Sequence, residues 1–277
     1  MTAATLDRAA NPSSPSLTEG RYGFRTVAQM EWLKLRSVRS TWYIVAVFAA
    51  SLVALALIVA SHENWSQLSA AGRASFDPVN DSYTGLGLGQ LLFGALGVLV
   101  VSTEFSSGLI RATFAAVPSR PRVLAAKAAV LGAVTLAVGE IFAFAAYAAG
   151  QVMLRSPAPH ATLGQPGVLR AVLMAGAYPA LIALIGLGLG ALIRHTAGAI
   201  CAVVGLVFVL PLLVLPLGTS IQNSVEKFLP EQMAADSLTA VKPVAHSLSP
   251  GIAFGLLCLY AAVALGAGVL ALVRRDA

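Results

Sequence analysis

Charged residues are scarce in this chain, and so are cysteine and histidine. Only 11% of its 277 residues are charged, against about 25% in soluble domains, while 57% are hydrophobic. Two cysteines and four scattered histidines favour neither a disulfide framework nor a metal site. Cys201 and Cys258 stand in apolar runs, where we expect buried free thiols. The composition excludes a water-soluble globule and predicts one polytopic membrane domain.

Catalytic and nucleotide-binding motifs are missing as well. "GLGLGQ" at 85–90 and "GLGLGA" at 186–191 look like glycine-rich nucleotide loops, but neither follows a strand or precedes Lys-Ser or Lys-Thr. The first and third glycines of each are four residues apart on apolar helices, a spacing that favours close helix packing. No Ser/His/Asp arrangement, HExxH or paired intramembrane carboxylate is present. We therefore expect no enzyme, no directly bound cofactor or metal, and no nucleic-acid partner.

Six apolar runs are long enough to cross a bilayer, which takes about 20 mostly apolar residues. Lipid offers no hydrogen-bond partners to the backbone, so each run must be helical. The predicted fold class is an all-α bundle of six transmembrane helices. The predicted spans are approximately 42–60, 85–103, 124–149, 169–193, 198–217 and 251–273.

Basic residues predict the orientation of this bundle. With both termini on one side, that side holds thirteen lysines and arginines and the other side five, out of 18. Cytoplasmic loops carry the excess of basic residues, so we expect both termini in the cytoplasm. Residues 1–20, rich in Ser, Thr, Pro and Ala, are predicted to be a disordered tail and no signal peptide. Residues 21–277 form the predicted membrane domain.

The connection between the second and third spans is unusually ionic. In "EFSSGLIRATFAAVPSRPRVLAAKA", residues 104–128, Ile110, Phe114 and Val117 repeat at helical spacing, and Pro118 ends the helix. A connector this short rarely builds an amphipathic helix of its own. We interpret it as a docking surface that presents an apolar stripe and an arginine to the cytoplasm.

The charges of this connection have separate predicted roles. Glu104 is expected to pair with a nearby base such as Arg111, or with a base on a partner. The remaining bases are expected to anchor the third span at the membrane face and set its orientation. They are Arg120, Arg122 and Lys127.

A second amphipathic element precedes the first span. In "FRTVAQMEWLKLRSVRSTW", an apolar stripe repeats at helical intervals, and basic residues lie beside it. We expect a helix along the inner interface, with its bases near anionic lipid headgroups; a basic juxtamembrane anchor is the alternative. The stripe comprises Phe24, Ala28, Trp32, Leu35 and Val38, and the bases include Lys34, Arg36 and Arg39.

Three other features concern the spans and their loops. Glu140 is the one carboxylate deep in a predicted span, so it should face the bundle interior, be protonated or line a water-filled path; a structural hydrogen bond is the alternative to a proton role. Pro211 and Pro216 either kink the fifth span or mark its end. Residues 221–229 have helical spacing before Pro230 and predict a short helix at the outer surface.

Taken in order, the motifs resemble a known family. "MEWLKLRSVRSTW", "EFSSGLIRATFAAVPSRPRVLAAKA", "YAAGQ", "LIGLGLGALIRHTAGAI" and "LSPGIAF…LVRRDA" are similar to the integral-membrane permease subunits of type-two ATP-binding-cassette (ABC) exporters, with actinobacterial members looking most alike. The resemblance spans about residues 22–277. It implies a multi-pass protein of the bacterial cytoplasmic membrane that has no fused nucleotide-binding domain.

The resemblance also implies partners and site residues. The element before the first span matches the family's connecting helix, here with Trp32, Lys34, Arg36 and Arg39. A separate ABC ATPase subunit would bind the ATP and dock on a coupling helix at 104–122, with the short loop "RHTAG" at 194–198 nearby. Two permeases, identical or different, would form the substrate path in contact with membrane lipids. The expected ATPase-coupling residues are Glu104, Gly108, Ile110, Arg111, Phe114, Pro118 and Arg194.

The expected function is therefore that of an exporter permease driven by a partner ATPase. A drug, a peptide antibiotic and a lipid-linked molecule all remain open as cargo. A non-transport membrane anchor or sensor in an ATPase complex is the alternative function.

Overall fold

A computed structural model describes residues 23–62, 65–154, 157–218, 222, 224–240 and 247–275. Within these ranges every regular element is helical and no strand occurs. The predicted tail at 1–20 lies outside them. The α-helices are α1 (Phe24–Ser37), α2 (Arg39–His62), α3 (Ala70–Ser75), α4 (Pro78–Asp81), α5 (Leu86–Ser106), α6 (Leu109–Ala116), α7 (Arg120–Met153), α8 (Val168–Ile193), α9 (Thr196–Val204), α10 (Leu210–Val214), α11 (Pro230–Leu238) and α12 (Pro250–Arg274).

Six helical segments are long and apolar enough to cross a membrane: α2, α5, α7, α8, α12 and the unit Thr196–Val214 that joins α9 to α10. The prediction of an all-α protein with six such helices is confirmed, and the boundaries agree with the predicted ones to within a few residues. At 1.5 Å per residue, the 34 residues of α7 extend about 50 Å, well beyond a hydrocarbon core of about 30 Å. The chain is therefore built as a multi-pass membrane protein.

Helix α8 lies at the centre of the bundle, where it packs against α5, α7 and α12. Backbones meet where glycines remove the side chains: a Cβ on Gly97 of α5 would collide with the Ala183 carbonyl of α8, and one on Gly139 of α7 with the Gly176 carbonyl. The predicted packing role of the two glycine motifs is confirmed. A Cβ at Gly85 would lie 2.7 Å from Leu52 Cα, and one at Gly190 2.7 Å from Val101 Cγ1.

The two prolines of the fifth span have different effects. Around Pro211 the helix continues, but Gly205–Val209 forms a π-helical stretch in which the Leu210 N–H donates to the Gly205 carbonyl. Pro216 lies in the 3₁₀ turn Leu215–Leu217 that ends the span. Proline lacks an N–H, so the regular hydrogen-bond pattern cannot pass through either position. A π-helical stretch thus precedes Pro211, and the span ends at Pro216.

One expectation about the surface is wrong and another is met in part. Cys201 and Cys258 are free, but both are exposed on the outside of their helices instead of buried. Of the helix predicted at 221–229, residues 222, 224 and 225 are helical, but the 3₁₀ turn Glu226–Phe228 follows and Leu229 is extended; residues 221 and 223 lie outside the described residues. Helix α11 instead begins at Pro230, because proline is well tolerated in the first turn of a helix.

Candidate functional site: the junction of α1, α5, α6 and α7

The short helix α6 is defined by the residues at its two ends. Gly108 precedes it with φ +74°, a left-handed conformation that glycine adopts without steric cost. Val117, before Pro118, is extended, and its N–H donates to the Thr113 carbonyl at 2.9 Å. The predicted helix and its end before Pro118 are confirmed. Its length, eight residues, is too short for stability in isolation, so α6 depends on its contacts.

Those contacts use the apolar stripe of α6, contrary to the interpretation of that stripe as a docking surface. Ile110 is 4% exposed and Val117 2% exposed, and Phe114 is half-buried against the core. Val117 packs with Val27 of α1 and Val123 of α7 in a small apolar cluster. The stripe therefore attaches α6 to its own bundle. The face of α6 left exposed comprises Leu109, Arg111, Ala112, Ala115 and Ala116.

Four charged side chains form a buried ionic cluster beneath this helix. The Lys127 ammonium lies 2.6 Å from Glu31 Oε2 and 2.7 Å from Glu104 Oε1. The Lys34 ammonium lies 3.0 Å from Glu31 Oε1 and 2.8 Å from Glu104 Oε1. It also lies 3.5 Å from the Thr113 hydroxyl of α6. We call these five residues the junction, because they connect α1, α5, α6 and α7.

The junction is neutral but largely removed from solvent. Glu31, Glu104 and Lys127 are 4%, 6% and 2% exposed, while the Lys34 side chain is 39% exposed. Burial by itself lowers the pKa of Lys34, but its hydrogen bonds to Glu104 and Glu31 and their negative charges outweigh that effect and raise the pKa above its usual 10.5. A buried ion pair adds little net stability, yet removal of one partner leaves a buried charge uncompensated.

The expected roles of two junction residues are corrected by this geometry. Glu104 contacts Lys34 and Lys127 and not Arg111, which is exposed on α6. Lys127 is not an anchor at the membrane face, since it is nearly inaccessible between two carboxylates. Glu31 was missed as a site residue. Its spacing in the sequence could have identified it, because Val27, Glu31 and Leu35 are four residues apart and form the buried face of α1.

The rest of the predicted connecting helix lies where expected in sequence, with most of its apolar stripe on the side that faces away from the bundle. Helix α1 ends at Ser37, one residue before Val38, the last residue of the predicted apolar stripe. Of the predicted apolar stripe only Leu35 is buried, whereas Phe24, Trp32 and Val38 are 41–49% exposed. Arg36 and Arg39 are exposed too, at the corner where Trp42 Nε1 donates to the Arg36 carbonyl at 3.1 Å.

Three arginines hold the neighbouring helix ends together. Arg194, in a left-handed conformation at the end of α8, donates to the Ala271 carbonyl of α12 at 3.0 Å. Arg275 donates to the Leu192 carbonyl of α8 at 3.3 Å, and Arg120 donates to the Leu272 carbonyl at 2.7 Å. Burial, then the charges of Arg275 and Arg120, lower the pKa of Arg194. Helix C-termini favour such cations.

Two of these arginines contact aromatic rings that are next in sequence to the junction residues Glu104 and Thr113. The Arg194 guanidinium lies 5.1 Å from the Phe105 ring centroid, and that of Arg120 lies 5.4 Å from the Phe114 ring centroid. Of the predicted coupling residues, Arg111, Gly108 and Pro118 are exposed. Ile110 and Glu104 are buried, and Arg194 binds the end of α12.

Glu140 lies away from the junction, at the contact between α7 and α8. A Cβ on Gly176 would come within 2.5 Å of Glu140 Cδ. Its Oε2 atom is buried and accepts no hydrogen bond from the described residues. Of the expected placements, the one toward the bundle interior agrees with its half-buried position against α8, whereas the structural hydrogen bond offered as an alternative is absent at this oxygen.

In the described part of the chain, no three His, Cys, Asp or Glu side chains are grouped to hold a metal ion. What the junction can do is hold four helices in one arrangement and pass on a displacement of α6. The sequence matches no protein-family model, and no curated protein is significantly similar to it.

Proposed function

We propose that this protein is the permease subunit of an ABC exporter, with α6 as the element on which a separate ATPase docks. In this proposal the α6 end of the bundle faces the cytoplasm of a bacterial cell. Support comes from six helices able to span a membrane, from the motif resemblance, and from the excess of basic residues at that end. The ATP would be bound by the ATPase alone.

The observation that carries the proposal is the two-sided character of α6. One side is fixed to the bundle through Ile110, Val117 and the bond from Lys34 to Thr113. The other side presents Leu109, which is 59% exposed, and the exposed Arg111. A helix that only connected two spans would not need an anchorage of this kind.

Force would pass from α6 into the spans through the junction. Packed interiors have low compressibility, so a displaced helix moves its neighbours instead of deforming. Because Glu104 belongs to α5, Lys127 to α7 and Glu31 to α1, closure of the ATPase would move all three with α6. Two such permeases, identical or different, would then rock against one another to open the substrate path alternately to each side.

The test is co-purification and export with a partner ABC ATPase, which is sought first among the genes that flank this one. Leu109→Ser combined with Arg111→Glu alters only exposed positions of α6, and we expect it to reduce ATPase recovery and export at least tenfold. Phe114 is left unchanged, since it is half-buried against Arg120. Arg25→Glu, an exposed charge reversal on α1, is the matched control and should retain the complex.

The outcomes separate the two candidate functions. Full recovery of the ATPase and normal export with the double variant would refute docking through α6. An intact complex that hydrolyses ATP without moving any cargo into vesicles would instead favour the anchor or sensor.

A further inference from the structure

Beside the junction lies a cavity of about 330 Å³ between α1, the start of α2, and α5. One end is formed by charged junction residues, Glu31, Lys34, Glu104 and Lys127. The remaining wall is mostly apolar and includes Leu35, Leu96, Leu99, Val100 and Leu109. Such a cavity matches the shape of an amphiphile, with a polar group at one end and a hydrocarbon chain along the wall.

The volume limits the size of the occupant. Small-molecule sites usually enclose about 300–1,000 Å³, and this cavity lies near the lower limit. It accommodates a single alkyl chain with a small head group, or one chain of a lipid, but not a large folded cargo.

The polar end offers an acceptor without a donor. Glu104 Oε1 accepts from both lysines, whereas its Oε2 is buried and accepts no hydrogen bond from the described residues. A buried acceptor left in this condition destabilises the protein, and more so when it carries charge. The terminal torsion of a glutamate rotates over a broad range, so a small turn presents Oε2 to a donor in the cavity.

The lysines do not offer a comparable place to an anion. The Lys34 ammonium has three hydrogens and lies within hydrogen-bond distance of three acceptors, Glu31, Glu104 and Thr113. Lys127 donates two of its three N–H bonds to the carboxylates, and its side chain is only 1% exposed. An anionic head group that reaches Lys34, the more exposed lysine, would therefore have to replace one of its acceptors, while a donor adds a bond at Glu104 Oε2 after a small turn of the carboxylate. Charge-assisted donors are the stronger ones.

We infer that this cavity binds a single-chain amphiphile whose head is a primary ammonium group, held by Glu104 with its chain against Leu96, Leu99 and Val100. The ammonium can belong to a free alkylamine or to an aminophospholipid of the adjacent leaflet. Binding at this place needs no ATPase, so the inference goes beyond the proposed export function.

The test uses the full chain in nanodiscs of phosphatidylcholine, which has no N–H donor in its head group. A dodecylamine that carries a photoreactive diazirine in its chain is cross-linked, and the labelled peptides are mapped by mass spectrometry. We expect labelling within 96–109, competed by unlabelled dodecylamine. Dodecyltrimethylammonium has the same charge but no N–H, and it should compete at least tenfold more weakly than dodecylamine. Dodecanoate should compete as weakly as the trimethylammonium compound.

Two variants test the two ends of the cavity. Leu99→Trp fills the apolar part without touching the junction and should reduce labelling within 96–109 at least tenfold. Glu104→Gln should weaken dodecylamine competition at least tenfold; if this variant fails to fold, Leu99→Trp still decides the result. Equal competition by the trimethylammonium compound, or unchanged labelling in Leu99→Trp, would overturn the inference.

A second lipid composition distinguishes a membrane lipid from a free amphiphile as the source of the ammonium group. Replacement of half the phosphatidylcholine by phosphatidylethanolamine should suppress labelling within 96–109 if the occupant is a membrane lipid. Unchanged labelling there would identify a free amphiphile. In either case, loss of docking through α6 leaves this readout unaffected, because no ATPase is present.

Discussion

The two ends of the bundle each bury a pair of carboxylates, but they satisfy them in different ways. At the junction, Glu31 and Glu104 are paired with Lys34 and Lys127, whose positions in the chain are up to 96 residues from their partners. At the opposite end, several backbone N–H groups of the described residues donate to the carboxylates. Ala240 donates to Asp77 and Leu248 to Asp236, each at 2.9 Å.

This difference affects how easily the hydrogen-bond donors at each end can rearrange. Asp77 also accepts from the N–H groups of Val79 and Asn80, so it caps α4 while it holds the segment at Ala240. Backbone donors have fixed directions and cannot titrate. Lysine side chains are long and rotatable, and a cluster built from them can adjust while α6 moves. An ionic junction therefore suits the end where we propose that force enters.

The largest expected effect is at Lys127. Lys127→Ala leaves two buried carboxylates with only the partly exposed Lys34, and should cost about 3–5 kcal/mol of stability. Thermal unfolding of the purified protein in one detergent measures it. Lys34→Ala is the matched control and should cost clearly less, because Lys34 is partly exposed and water can replace its ammonium at the two carboxylates.

A compensated variant shows whether charge or packing causes that loss. Glu31, Glu104 and Lys127 replaced together by methionine should recover most of the Lys127→Ala loss, because apolar groups of similar size replace a buried ionic group with little penalty. If the triple variant is as unstable as Lys127→Ala, the geometry of the side chains matters more than their charge.

Asp77 should show a smaller, graded effect. Asp77→Ala removes a helix cap and an acceptor for Ala240, and we expect a loss of about 1–3 kcal/mol. Asp77→Asn keeps one carbonyl acceptor and should lose about half as much in the same unfolding assay. Equal losses for the two variants would mean that the negative charge, which the backbone donors do not require, is what this end depends on.

The smallest effect is the alkaline pH dependence of the junction. The pKa of Lys34 is raised in the folded protein despite its burial, through Glu104 and Glu31. A raised pKa contributes stability that is fully present below the unfolded value near 10.5 and is lost as the pH rises through the folded value. The unfolding midpoint of Lys34→Met should therefore fall less steeply than that of the wild type above about pH 10.5.

The opposite end supplies the control for this pH experiment. Backbone N–H groups do not titrate, so Asp77→Asn should leave the alkaline part of the curve parallel to that of the wild type. A wild-type curve parallel to that of Lys34→Met would contradict the role assigned to the ammonium.

Local patterns allowed most of the fold to be predicted, and little of the junction. The six spans follow from apolar length alone, and α6 follows from its periodicity and Pro118. The pairing of Glu31 with Lys127 depends on how α1 lies against α7, which no local pattern encodes. For the same reason the stripe of α6 was assigned outward, since periodicity shows that Ile110 and Val117 share a face but not what covers it.

The face of α1 that contacts the bundle was not predicted, for a related reason. Trp32 and Phe24 are large and apolar and define the stripe expected at the membrane interface, while the bundle buries Val27 and Glu31. Beside a membrane, an apolar side chain need not face protein to leave water. The position of Glu31 between two apolar residues at four-residue spacing, Val27 and Leu35, was the better indicator of which side of α1 faces the protein.

The order of synthesis gives the junction a further consequence. Glu31 and Lys34 precede the first span, whereas Lys127 belongs to the third. While the chain is being made, α1 must remain outside its final position with its carboxylate still hydrated, until two more spans have been inserted. Closure of the junction thus marks the point at which the first half of the bundle is complete, and an insertion error before it leaves two acids exposed at the membrane surface.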